Sequence, residues 1–176
     1  MKTTVRKILV AGLAALLGAT VMVAEAAQTL VYCSEGSPEG FTPQFFTTGT
    51  TADAASVPMY NRLVEFQIGT TKVIPALAES WQESADGLPY TFKLRKGVKF
   101  HGNAKFKPTR DFNADDVLFS YNRMADTNHP FHKASAGQTY AYFEDMGMNK
   151  IVARLEKLDD YSVRFHLLHP EAPFIA

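Results

Sequence analysis

Glu79-Ser80-Trp81-Gln82-Glu83, a loop holding Asp86-Gly87, and Tyr90-Thr91-Phe92-Lys93-Leu94-Arg95 run in succession through the middle of the chain. Tyr90, Phe92 and Leu94 fall on one side of an extended backbone, and Thr91, Lys93 and Arg95 on the other. That two-residue period belongs to a strand with one buried face. Asp86-Gly87 supplies turn residues, so the two runs form a β-hairpin whose loop is longer than two residues. Lys96-Gly97 then turns the chain again before Val98-Lys99-Phe100.

A second hairpin is expected near the carboxyl end. Ile151, Ala153 and Leu155 alternate up to Asp159-Asp160, and Val163, Phe165 and Leu167 alternate after it. Between the hairpins Asn113-Ala114-Asp115-Asp116 predicts a helix start. Asn113 caps, Asp116 closes a short variant of the capping box, and both acids suit the positive helix end. Val117, Leu118, Tyr121 and Met124 recur at helical spacing as its buried stripe. Pro170 and Pro173 prepare a further helix that Phe174-Ile175-Ala176 only begins, so the chain is expected to be an amino-terminal fragment. Upstream, Thr29-Leu30-Val31-Tyr32-Cys33 reads as a short buried strand. Residues 34–43 carry two glycines and two prolines and read as loop. Residues 54–63 read as helical, with Pro58 marking a break or a late start, and residues 63–68 alternate like a strand.

The first residues set the compartment. Lys2, Arg6 and Lys7 precede an apolar run over residues 8–23, and Ala24-Glu25-Ala26 ends it with small residues where a signal peptidase reads. This is the pattern of a secretory signal peptide cleaved after Ala26, with export as its consequence. The run is shorter than the ~20 apolar residues of a membrane-spanning helix. The 176-residue chain carries 18 basic and 18 acidic side chains. That balance argues against nucleic acid, whose phosphates demand a basic surface, and against a polybasic membrane patch. Cys33 is the one cysteine. In an oxidising compartment its partner is either missing or never needed, and the thiol is then simply buried.

No catalytic set emerges. His129-Pro130-Phe131-His132 and His166-Leu167-Leu168-His169 have i, i+3 spacing, but neither holds the glutamate of a His-Glu-x-x-His site and Pro130 breaks the first. His166 lies in a strand-like run, which sends His169 to the other face, so surface or loop histidines are expected, with no metal and no cofactor. Asp115-Asp116 is explained by capping and Asp159-Asp160 by turn chemistry, while Glu144-Asp145 reads as a solvated loop. Gly36-Ser37-Pro38-Glu39-Gly40 sets a proline directly after its serine and is no nucleophile elbow. Cys33, on an apolar strand, reads as an inert thiol. A secreted peptidase would need a nucleophile or metal set that these residues do not offer, and no enzyme is expected.

Ala76-Leu77-Ala78-Glu79-Ser80-Trp81, Asp86-Gly87 and then Tyr90-Thr91-Phe92-Lys93-Leu94-Arg95-Lys96-Gly97-Val98-Lys99-Phe100-His101 resemble the signature of the family 5 extracellular solute-binding proteins. These are the peptide, nickel and haem binders of ABC importers. Asn113-Ala114-Asp115-Asp116-Val117 is similar to the helix start that follows in the family. The opening, residues 29–41, resembles the dipeptide-binding branch, as do Tyr60-Asn61-Arg62-Leu63-Val64-Glu65-Phe66 and Tyr142-Phe143-Glu144 before Met146-Gly147. Haem binders share much of this opening, and Leu88-Pro89 departs from the pattern within the hairpin loop.

The resemblance implies an α+β, or mixed α/β, fold: the incomplete amino-terminal part of a two-lobed periplasmic-binding-protein fold of type II-like form. Residues 1–26 would be the signal peptide, 27–60 the first segment of the main ligand-binding lobe, and 61–176 most of a small extra domain. It implies capture of a dipeptide or short peptide and its delivery to an inner-membrane ABC permease, by a monomer. A haem or metallophore carrier is the alternative. Most ligand contacts would lie in the distant half of the family's chain. One falls here, Thr47, with Thr48, Gly49 and Thr50 as neighbours of weaker claim. Cys33 would pair with a cysteine beyond residue 176.

Overall fold

The computed structural model describes residues 29, 31–135 and 137–175. The expected signal peptide lies outside them. The chain divides into two units, Met1–Cys33 and Ser34–Ala176. In the first, Thr29, Val31, Tyr32 and Cys33 adopt no strand, which corrects the strand expected over residues 29–33. Val31 is 81% exposed. β-Branched apolar residues favour a pleated surface only where a neighbouring strand completes the ladder, and among the described residues no ladder includes these.

The second unit begins with loop and a 3₁₀ turn, Pro43–Phe45. Helical backbone follows as three joined pieces, Gly49–Thr51, a π-helical Ala52–Ser56 and Val57–Met59. This helix starts and ends earlier than residues 54–63. Pro58 explains the widened middle: it has no N–H for the Ala54 carbonyl and its ring crowds that carbonyl. The Val57 N–H instead reaches back to Ala52 O, the longer π spacing. Strand β1 (Val64–Phe66) pairs antiparallel with β2 (Val73–Pro75) in a small separate ribbon.

The main sheet holds β3 (Ala78–Glu83), β4 (Pro89–Leu94), β5 (Val152–Asp159) and β6 (Ser162–Leu167) in the order β3-β4-β6-β5, all antiparallel. Both expected hairpins are present, laid side by side so that β4 and β6 are central. Tyr90, Phe92 and Leu94 are buried, as are Val163, Phe165 and Leu167 on the same face. Phe92 meets Phe165 edge-on at 5.5 Å, a preferred aromatic geometry. The short 3₁₀ turn Ala172–Ile175 sets Phe174 against Tyr90 and Phe165, at 4.9 and 5.7 Å.

Strand β5 departs from simple alternation. Val152 pairs with Leu167 and Arg154 with His166, so one extra β5 residue is accommodated between them. This bulge turns Val152 into the core and leaves Ala153 exposed, while Leu155 faces Phe165. Ile151 and Leu155 pack against the core, and the expected alternation is corrected only at Ala153, which is exposed while Val152 is buried.

Helix α1 (Ala114–Ala125) covers the buried face of the sheet. Asn113 Oδ1 accepts from Asp115 N–H at 2.9 Å, and Asp116 Oδ2 accepts from Asn113 N–H at 2.9 Å, the expected capping box. Tyr121 packs edge-on against Phe143 and Phe165, at 5.5 and 5.9 Å. Lys157 of β5 clamps the helix start to the β5–β6 turn, reaching Asp115 at 2.9 Å and Asp160 at 2.8 Å. Two short helices, α2 (Ala141–Asp145) and α3 (Met148–Ile151), lead into β5. Glu144 and Asp145 therefore lie exposed on a helical turn, which corrects the loop expected there.

Candidate functional site

The residues singled out for ligand contact follow directly from the 3₁₀ turn Pro43–Phe45. Phe45 turns inward and stacks with Tyr140, centroids 5.2 Å apart. Phe46 turns the other way and lies over Gly40. A Cβ at Gly40 would run into the Phe46 ring, so any larger residue there would have to displace that ring. Tyr60 Oη donates to Phe41 O at 2.9 Å and ties the same loop down. The chain then leaves the turn extended, with Phe46 at φ −135°, ψ 147° and Thr48 at φ −74°, ψ 144°.

The four threonines that follow, Thr47, Thr48, Thr50 and Thr51, are not equivalent. Thr48 Oγ1 lies 3.1 Å from both Glu39 Oε2 and Thr51 Oγ1, and Thr51 Oγ1 accepts from Glu39 N–H at 3.1 Å. Thr51 is 1% exposed, so this hydroxyl knot fixes the loop onto the start of the helical segment. Thr50 Oγ1 makes a long 3.5 Å approach to Thr48 Oγ1. Thr47 is exposed, and its hydroxyl has no hydrogen-bond partner among the described residues. Thr48 and Thr51 are committed to structure, whereas the Thr47 side chain is open to solvent.

The turn is held from the far side by α1. The Arg123 guanidinium donates to Gln44 Oε1 and sits over the rings of Phe119 and Tyr140, at 5.9 and 5.7 Å. Its Nε is buried without a partner among the described residues. A buried unsatisfied donor of this kind costs about 1–3 kcal/mol, which the stacking and the Gln44 contact must offset. No short-range pattern reveals Arg123, because it meets a residue 79 positions away.

The remaining expectations resolve locally. His132 Nδ1 lies 2.8 Å from Arg123 O, and His166 Nε2 lies 2.6 Å from Glu156 Oε2 as a cross-strand pair on the outer sheet face. That hydrogen bond, joined by one from Arg154, holds the Glu156 carboxyl below its ordinary value. Asp116 is paired with Arg110 at 2.7 Å. Lys157 draws the Asp115 pKa down, and the Tyr161 N–H does the same for Asp159. Burial pushes the phenols of Tyr90, also beside Glu83, and of Tyr121 up to about 12. Among the described residues no three of His, Cys, Asp and Glu converge as a metal set. Cys33 is exposed and free. Separately, a recess of ≈ 610 Å³ opens between the chain at Met59–Leu63, the loop around Phe100 and Phe106, and the Val117, Tyr121 and Met124 side of α1. Its lining is mostly apolar and does not include Thr47.

Residues 72–176 match the family described as bacterial extracellular solute-binding proteins, family 5. The chain is 60% identical over 161 residues to the dipeptide-binding protein of Escherichia coli strain K12, covering 92% of this chain and 30% of that protein. It is 53% identical over 148 residues to heme-binding protein A of Haemophilus influenzae, covering 84% and 27%. Among solved structures, a dipeptide binding protein from Pseudoalteromonas sp. SM9913 in complex with Met-Leu superposes with a TM-score of 0.74 at 43% identity, covering 82% of this chain and 28% of that one. The chain thus spans less than a third of the length of each of these relatives. With the family match extending over both hairpins and the capped helix between them, the chain belongs to the family 5 bacterial extracellular solute-binding proteins.

Proposed function

We propose that this chain is part of a periplasmic protein that captures dipeptides or short peptides and delivers them to an inner-membrane ABC permease. The observation that carries the reading is the 60% identity to the dipeptide-binding protein of Escherichia coli over nearly the whole chain. A dipeptide offers two charged ends and two variable side chains. Its recognition calls for a few preorganised polar partners beside a roomier pocket that tolerates variety. Thr47 suits the first role: its hydroxyl is exposed, it both donates and accepts, and it leaves a turn anchored on two sides. Thr48, Gly49 and Thr50 shape the approach. In this reading residues 1–26 are removed on export and residues 27–60 belong to the main ligand-binding lobe. Residues 61–176 build most of the smaller domain, Cys33 is disulfide-bonded to a cysteine beyond residue 176, and the protein works as a monomer.

A haem carrier is the second reading, favoured by the 53% identity to heme-binding protein A of Haemophilus influenzae. Titration of the full-length mature protein with a dipeptide panel, and separately with haem, tests the choice. Saturable dipeptide binding weakened by Thr47→Ala supports the first. Saturable haem binding without dipeptide binding supports the second.

A further inference from the structure

We infer that Arg123 is a positioning residue for ligand binding, acting through Gln44 to hold Thr47 in its presenting conformation; this rests on Thr47 as a ligand contact. The contacts close a ring. Arg123 holds Gln44 in the turn Pro43–Phe45, and Phe45 of that turn stacks on Tyr140. Tyr140 Oη donates to His132 O at 3.0 Å, and His132 Nδ1 returns to Arg123 O at 2.8 Å. Thr47 leaves this ring two residues after Phe45. An exposed loop hydroxyl contributes little to affinity if binding must first order the loop, and holding it in advance removes that cost.

The site asks for arginine in particular. A planar guanidinium can lie over the Phe119 and Tyr140 rings while extending an N–H to Gln44. Lysine keeps the charge but not the plane or the fork.

The test is a set of double-mutant cycles on dipeptide affinity in the full-length protein, pairing Thr47→Ala with Arg123→Lys and with Gln44→Ala. Each single change is expected to weaken binding about 2- to 12-fold, the range of one hydroxyl contact. Neither second change is expected to weaken it further once Thr47 is alanine. Amide exchange at residues 46–48 is expected to quicken in Arg123→Lys while that of Phe92 and Leu94 in β4 stays as it was. Additive losses, or exchange that quickens across β4 as well, would overturn the inference and leave a structural role. A loss for Thr47→Ala with none for Arg123→Lys or Gln44→Ala would overturn it alone. No loss for Thr47→Ala would remove Thr47 from the ligand site, and the inference with it.

Discussion

The bulge in β5 makes neighbouring residues differ in a way that simple alternation reverses. Val152 is 5% exposed and faces the core, whereas Ala153 is exposed. Val152→Ala removes two buried methyl groups, a transfer loss of ~1.6 kcal/mol at ~0.8 kcal/mol per group. An unfilled remnant of ~20–30 Å³ adds ~0.5–0.7 kcal/mol at ~24 cal/mol per Å³, for a total of about 2 kcal/mol. Ala153→Val adds volume toward solvent on a strand, where a β-branched residue is welcome, and is expected to change stability by less than ~0.5 kcal/mol. Urea unfolding of the two variants and the parent, followed by tryptophan fluorescence from Trp81, measures both. The urea midpoint should fall for Val152→Ala and stay put for Ala153→Val, with the slope unchanged in each. If Ala153→Val proves the more costly, Ala153 points inward and the bulge is wrong.

Removing the cap with Asn113→Ala is expected to destabilise by about 1 kcal/mol, read from the same unfolding curves. Asp86, Asp115, Glu156 and Asp159 all have carboxyl pKa values lowered by hydrogen bonds in the folded chain. Their stabilising contribution is therefore complete above their unfolded values, 3.8 for the aspartates and 4.5 for Glu156, and is lost as pH falls through the lower folded values. Thermal melts between neutral pH and about pH 3 should show a decline that begins near pH 4–5, smaller in Glu156→Gln than in the parent. Mass spectrometry of the exported protein should find a chain that begins at Ala27, and retention of Met1 would contradict cleavage.

The two main hairpins and α1 were legible because each carries its whole signal within a dozen residues. Tyr90, Phe92 and Leu94 alternate without interruption, and Asn113 with Asp116 states a helix start in four residues. What stayed hidden depended on partners. Val73-Ile74-Pro75 forms a strand only because residues 64–66 lie opposite, and its proline disguises it at a ribbon edge. The β5 bulge leaves Ile151, Ala153 and Leu155 looking like an unbroken apolar face, since the extra residue is visible only against β6. Residues 29–33 have strand-forming side chains but no ladder among the described residues. At the site, Thr47 came forward through resemblance, and its difference from Thr48 emerged once Glu39 and Thr51 were seen to engage the neighbour. Arg123 was beyond reach, because nothing within its own helix refers to Gln44.

In the proposed function the whole protein recognises short peptides, with Thr47 at the ligand. Isothermal titration of the full-length mature protein with dipeptides, repeated with Thr47→Ala, tests it most directly. The expected result is one-site saturable binding by the parent and about 2- to 12-fold weaker binding by the variant, a loss of about 0.5–1.5 kcal/mol. Absence of dipeptide binding by the correctly folded parent, or identical affinity in parent and variant, would contradict it.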